Sequence, residues 1–163
     1  DRTIVKDSLV LCDCAWPIMD SFNTPDHVGD PTLESRIFSA VTGIDTDEAG
    51  LNAYGERIFN QQRAILLREG WRAKEYDVPA EYNFTDPVES DMLNPNLIVP
   101  GPTEEPVSIK GNVLNRRKFE EMREEFYQLR GWDPETGLPK KETLSRLRMA
   151  DVAEELDKAG LVK

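Results

Sequence analysis

The sequence predicts a mainly α fold, an irregular helical domain with a long proline-rich extended arm. Three observations carry that reading. Apolar residues recur at helical spacing within stretches that begin at a capping residue and stop at a glycine. Prolines crowd the segment from 76 to 112. No alternating apolar and polar run of the kind that makes a half-buried sheet stands out.

"GDPTLESRIFSAVTG" predicts the first helix, with Asp30 as cap, Pro31 in the first turn and Gly43 at the stop. Leu33, Ile37, Phe38 and Val41 share one face. "IDTDEAGLNAYGERIFNQQRAILLREG" predicts the longest helix, with Asp45 as N-cap, Glu48 three residues on and Gly70 as terminator. Leu51, Tyr54, Ile58, Phe59, Ile65 and Leu66 follow the helical period. Gly50 and Gly55 weaken a helix by about 1 kcal/mol each relative to alanine, so they read as places where a neighbouring element approaches closely.

From Tyr76 to Gly111, Pro79, Pro87, Pro95, Pro100, Pro102 and Pro106 leave no room for a long helix. So long an irregular stretch is either disordered or an arm laid on another surface. Its apolar residues Tyr82, Phe84, Met92, Leu93, Leu97, Ile98 and Val99 favour the arm. "NRRKFEEMREEFYQLRGW" predicts a further helix capped by Asn115, with Phe119, Met122, Phe126 and Leu129 on one stripe and a charged, solvated opposite face. "DPETGLP" is a turn. Two short helices follow, Lys141 to Arg148 and Met149 to Lys158, closing at Gly160. The chain divides into a cofactor-side loop at 1–30, helices at 31–75, the arm at 76–112 and terminal helices at 113–163.

With 163 residues, 39% hydrophobic and 31% charged, the chain has the length and composition of one globular domain. Its net charge of −11 argues against a nucleic-acid surface, which needs concentrated Lys and Arg. No apolar run reaches the roughly 20 residues of a membrane helix, so a soluble, cytoplasmic protein with no membrane partner is expected. The chain opens at Asp1 rather than Met, which reads as a piece of something longer.

The residues for self-contained catalysis are sparse. The one histidine, His27, lies in a loop-like stretch, and there is no glycine-rich phosphate loop, nucleophile elbow or paired-histidine zinc motif. The run "EEMREE" is a solvated helix face. Cys12 and Cys14, the only cysteines, are separated by one aspartate, a spacing that suits neither a disulfide framework nor a thioredoxin-type pair. A tetrahedral zinc or an iron–sulfur cluster needs four ligands, so if Cys12 is one, its companions lie elsewhere. The alternative is that both cysteines are small buried apolar residues.

Asp7-Ser8-Leu9-Val10-Leu11-Cys12 resembles the D-x-x-G-L-C element of the tungsten-containing aldehyde ferredoxin oxidoreductase family, in its carboxyl-terminal part. The resemblance continues through "VTGIDTDEAGLNAYGERIFNQQRAILLREG", similar to that family's T-G helix with its G-E-R-I-x-N pattern. It continues again through "FEEMREEFYQLRGWDPETGLP", similar to the family's tyrosine-rich helix, R-G-W-D and G-x-P turn. The resemblance implies that the Asp7 region contacts a pterin of a bis-pterin tungsten or molybdenum cofactor, with Leu11 beside it. It also implies that Cys12 is the fourth ligand of a nearby [4Fe–4S] cluster. The family's glycine is Val10 here, and a β-branched residue is strained at positive φ if the loop requires it.

The resemblance further implies that the chain is part of an oxidoreductase that oxidises a small aldehyde to a carboxylic acid and passes electrons to ferredoxin or another carrier, the rest of the polypeptide supplying the other cluster cysteines and the second pterin site. Alone it is expected to hold no cofactor and to be inactive. Related members reduce aromatic acyl thioesters instead. A different class remains: a non-enzymatic helical interaction module with structural cysteines. Trp16, Phe22 and His27 are candidates for a substrate-facing wall or for core. Arg57, Asn60 and Arg63 are candidates to face the cofactor across the long helix or to pair with surface acids.

Overall fold

The computed structural model describes residues 2–10 and 29–163. Among the described residues about half the chain is helical, and one small two-stranded sheet is present. The helices are α1 (Arg2–Ser8), α2 (Leu33–Thr42), α3 (Glu48–Arg68), α4 (Tyr82–Thr85), α5 (Arg116–Leu129), α6 (Lys141–Arg146) and α7 (Ala150–Lys158). The strands are β1 (Ile98–Pro100) and β2 (Pro106–Ser108).

α3 is the axis on which the rest is arranged. Its N-cap is Asp47, whose carboxylate accepts the Gly50 N–H at 2.8 Å, rather than the expected Asp45. Asp47 has the extended backbone a cap needs and sits directly before the first helical residue. The close approach at Gly50 is local and not from a neighbouring element: a Cβ there would collide with Thr46 Oγ1 in the turn before the helix. The buried face of α3 is Leu51, Gly55, Asn60, Arg63, Ala64 and Leu67. Ile65 and Leu66, counted on that face from the sequence, are about half exposed, and two polar residues take part in the buried face because both are satisfied there.

One core lies at the start of α3, where Val5, Phe38 and Leu51 pack with Leu9 and Ile58. α1, for which the sequence suggested no element, seats Val5 in that core and its cations on α2: Arg2 donates to the Glu34 carboxylate and Lys6 Nζ lies 3.5 Å from it. Glu34 is consequently 1% exposed, while Val41 of the predicted apolar face stands out in solvent. A buried carboxylate persists only when charge and hydrogen bonds compensate its lost hydration, and α1 provides both. Asp30 does not cap α2 itself; its carboxylate accepts from Thr32 N and Oγ1, while Gly43 closes the helix at φ 72° as expected.

The second core joins Ala64 of α3 to Leu144, Leu147, Met149, Ala153, Leu156 and Val162. Fully burying a leucine such as Leu144 or Leu156 contributes roughly 1.5–3 kcal/mol. The chain end closes this unit by pairing Lys163 with Pro139 and Lys141 through backbone hydrogen bonds.

The proline-rich segment does not run out as a single extended arm. Val88 exchanges backbone hydrogen bonds with Asn112 and Gly111, Leu114 N–H reaches Asn83, and Ile109 N–H reaches Leu97. β1 and β2 form an antiparallel hairpin with Ile98 opposite Ser108 and Pro100 opposite Pro106. Proline is tolerated at these strand ends because no ladder donor is needed there. Leu97 is buried, whereas Met92 and Leu93 are almost fully exposed.

α5 is capped as predicted, Asn115 accepting from Lys118 N–H at 3.0 Å. Its predicted apolar stripe is not the buried face: Met122 is 62% and Leu129 78% exposed, while Tyr127 is 1% exposed. The helix is turned so that Tyr127 and Arg123 face inward, where polar partners await them.

Candidate functional site

The segment singled out by the sequence begins at the end of α1. Leu9 N–H bonds to the carbonyls of Val5 and Lys6, and Val10 N–H bonds to that of Asp7 at 3.1 Å. Val10 then turns at φ 60° with its side chain 89% exposed. This is the left-handed region, which a β-branched residue enters only under strain. The loop therefore needs the conformation that a glycine would adopt freely, at the position where the D-x-x-G-L-C pattern has its glycine. Asp7 is exposed, and among the described residues its carboxylate has no hydrogen-bond or ion-pair partner. Leu11, Cys12, Cys14, Trp16, Phe22 and His27 lie outside the described residues. A carboxylate with open acceptor positions beside a tight turn fits the edge of a pterin, whose adjacent N–H groups match two carboxylate oxygens.

A second constellation went unrecognised in the sequence. Arg63, buried on α3, donates from Nη1 and Nη2 to the Asp77 carboxylate at 3.0 and 2.6 Å, and from Nη2 and Nε to the Gly137 carbonyl at 2.8 and 3.2 Å. Its guanidinium lies 4.4 Å from the centroid of the Trp132 ring and 5.9 Å from that of Tyr127. Tyr127 Oη donates to Asp77 at 2.6 Å, and Trp71 Nε1 donates to the same carboxylate at 2.8 Å. One turn earlier on α3, Asn60 Oδ1 accepts from Trp132 Nε1 at 2.8 Å while its amide donates to the Glu56 carbonyl.

The electrostatics of this hub are internally consistent. Burial pushes the Asp77 carboxyl up, but hydrogen bonds from Arg63, Tyr127 and Trp71 outweigh it and hold it below its ordinary value of 3.8. Burial, followed by the hydrogen bond to Asp77, pushes the Tyr127 phenol above its ordinary value of 10.0. Both groups are locked in one protonation state through the neutral range, which suits a framework rather than proton transfer. Asn60 is bound within the domain's interior, and Arg63 pairs with an acid as one expectation had it, though in a buried pair with Asp77 rather than on the surface. Arg57 is exposed.

The hub also explains two quoted patterns. Asn60 of G-E-R-I-x-N and Trp132 of R-G-W-D are hydrogen-bonded to each other. The D-P-E-T-G turn places its glycine where a Cβ would stand 2.9 Å from both Arg63 Nη2 and Tyr127 Cζ. Asp133 holds that turn by accepting from Thr136 N and Oγ1 at 2.8 and 2.6 Å. A signal was available in the sequence, since Asn60, Arg63 and Leu67 fall at helical spacing on the face of Leu51.

A strained turn after α1 stands beside an open carboxylate, on a domain braced by an Asn–Arg–Asp–Tyr–Trp hub. The family model described as "Aldehyde ferredoxin oxidoreductase, domains 2 & 3" matches residues 1–149, and the chain belongs to that family. It is 31% identical over 119 residues to the aliphatic sulfonate oxidoreductase, WOR-like subunit, of Pyrococcus furiosus, a match that covers 72% of this chain and 17% of that protein. Its fold resembles that of the active site complex BamBC of benzoyl coenzyme A reductase in complex with 1,5 dienoyl-CoA, with a TM-score of 0.53 and 22% identity. That match covers 80% of this chain and 16% of the other. The chain thus spans about a sixth of the length of the proteins it matches. Among the described residues no helix is long and apolar enough to cross a membrane.

Proposed function

We propose that this chain is the carboxyl-terminal cofactor-side domain of a tungstopterin iron–sulfur oxidoreductase, oxidising an aldehyde to a carboxylic acid and delivering electrons to ferredoxin or a similar carrier in the cytoplasm. The observation that carries the reading is the left-handed turn at Val10, three residues beyond Asp7 and two before Cys12. It supports the family's D-x-x-G-L-C geometry even though the glycine is replaced. Asp7 accepts hydrogen bonds from a pterin edge, Leu11 packs beside it, and Cys12 ligates one iron of a [4Fe–4S] cluster. When bound, the tungsten or molybdenum centre supplies the two-electron chemistry and the cluster supplies the exit path. The chain's own contribution is to position these groups.

The remainder of the polypeptide is the partner of this domain. It supplies the other cluster cysteines and the second pterin site, so the isolated chain is inactive. The uncovered apolar residues Met122 and Leu129 of α5, and Met92 and Leu93 of the proline-rich segment, support contact with that remainder.

A second reading, reduction of an aromatic acyl thioester, has the likeness to the benzoyl coenzyme A reductase complex in its favour at the level of fold. Metal and pterin analysis of the complete natural polypeptide tests the shared core of both readings. Stoichiometric pterin with tungsten or molybdenum, and four irons per cluster, is the expected result. A complete polypeptide that expresses folded with none of these is a helical module and not an enzyme of this kind. Assays with aldehydes and with aromatic acyl thioesters then separate the two activities.

A further inference from the structure

A cleft of about 370 Å³ opens between the start of α3 and the junction of α6 with α7, away from the hub and lined by Arg57, Arg146 and Arg148. Three guanidinium groups in one cleft are unexpected in a chain of net charge −11. Arg146 is already satisfied, because it pairs with Glu56. Arg57 and Arg148 differ from it: among the described residues, neither guanidinium has a hydrogen bond or ion pair. Arg148 sits at φ 57°, a left-handed conformation in which a side chain is a cost and glycine is free. The fold needs the turn there, and nothing within the described residues gives the arginine a role.

The remaining walls indicate what kind of molecule fits. Tyr54 lines the cleft with its ring 5.3 Å from Phe38 on one side and 38% exposed. Ile44 and Leu147 add apolar surface, and Asp45 is the one carboxylate in the lining. Two unpaired guanidinium forks match the oxygens of a phosphate, and a partly open tyrosine face matches a planar ring. The volume lies within the range of small-molecule sites.

We propose that this cleft binds a phosphate-bearing small molecule of the nucleotide class, with Arg57 and Arg148 on the phosphate and Tyr54 against the ring. The inference stands apart from the cofactor assignment, since it uses none of Asp7, Leu11 or Cys12.

Isothermal titration of the complete polypeptide with ADP, inorganic phosphate and adenosine tests it, repeated on Arg57→Gln and Arg148→Gly. ADP is expected to bind, each substitution to weaken it at least tenfold, and adenosine to bind far more weakly. Arg148→Gly removes the strained side chain and should leave the melting temperature equal or higher, so its loss of binding is not a loss of fold. ADP binding with inorganic phosphate silent also supports an organic phosphate as occupant. The proposal is overturned if ADP does not bind, if both variants bind it as well as wild type, if adenosine binds equally, or if phosphate alone binds.

Discussion

Arg63 and Asp77, fourteen residues apart, form a two-pronged ion pair at 3.0 and 2.6 Å that ties α3 to the loop following it. The pair is enclosed by Tyr127 of α5, Trp132 and the Gly137 carbonyl, so that one guanidinium organises three separate stretches of chain. Removing one member of a buried pair leaves the other charge uncompensated. Arg63→Met should destabilise the fold by roughly 3 kcal/mol, and Arg63→Met with Asp77→Leu should recover part of that loss. Denaturant unfolding of the single and double variants measures both effects. Equal and additive losses would show that the two residues act independently.

The same carboxylate gives the stability a pH dependence. Asp77 in the folded chain titrates below its ordinary value of 3.8, so it binds protons less readily folded than unfolded. Its contribution is present above that ordinary value and is lost as pH falls through the lower, folded one. Asp77→Asn should therefore flatten the acid limb of a stability–pH curve while lowering stability at neutral pH. Tyr127 acts at the other end: its raised value makes its contribution complete below pH 10.0 and lost only at higher pH. Tyr127→Phe should remove that alkaline loss.

Gly137 is where the turn meets the hub. An alanine there would hold φ 73° and press its Cβ to 2.9 Å from Arg63 and Tyr127. Gly137→Ala should cost about 2 kcal/mol through strain and displacement together. Thermal melting compared with Gly43→Ala, which has the same backbone conformation and open space around it, isolates the packing part.

Val10 predicts the opposite sign. Its left-handed backbone is a standing cost, so Val10→Gly should stabilise the loop by about 1 kcal/mol, net of glycine's greater unfolded freedom. A fall in stability would mean that the exposed valine makes contacts which repay its strain.

How much of this was legible in the sequence depended on whether a signal was local. Stops read better than caps: Gly43 closes α2 and Asn115 caps α5 as their residue types require, whereas Asp30 does not cap α2. Asp45 is not the cap of α3: Asp47, two residues on, has the extended backbone a cap needs, which the residue type alone does not reveal. The burial of α2 and α5 read poorly for a shared reason. Glu34 and Tyr127 are drawn inward by partners distant in sequence, Arg2 at 32 residues and Asp77 at 50, and apolar periodicity cannot register a polar contact at that distance. The β1–β2 hairpin was missed because three-residue strands that each carry a proline show almost no alternation. Of the candidate site, the turn at Val10 was anticipated as a question and answered by its φ. The Arg57–Arg148 cleft was not legible, since it depends on two distant segments meeting.

The central claim is that Cys12, read with Asp7, serves a cluster beside a pterin, and that Cys14 does not. The most direct measurement is the iron content and the reduced-state electron paramagnetic resonance spectrum of the complete polypeptide, in wild type, Cys12→Ala and Cys14→Ala. A [4Fe–4S] signal is expected in wild type and in Cys14→Ala, with its loss or conversion to a three-iron signal in Cys12→Ala. An unchanged cluster in Cys12→Ala would contradict that claim.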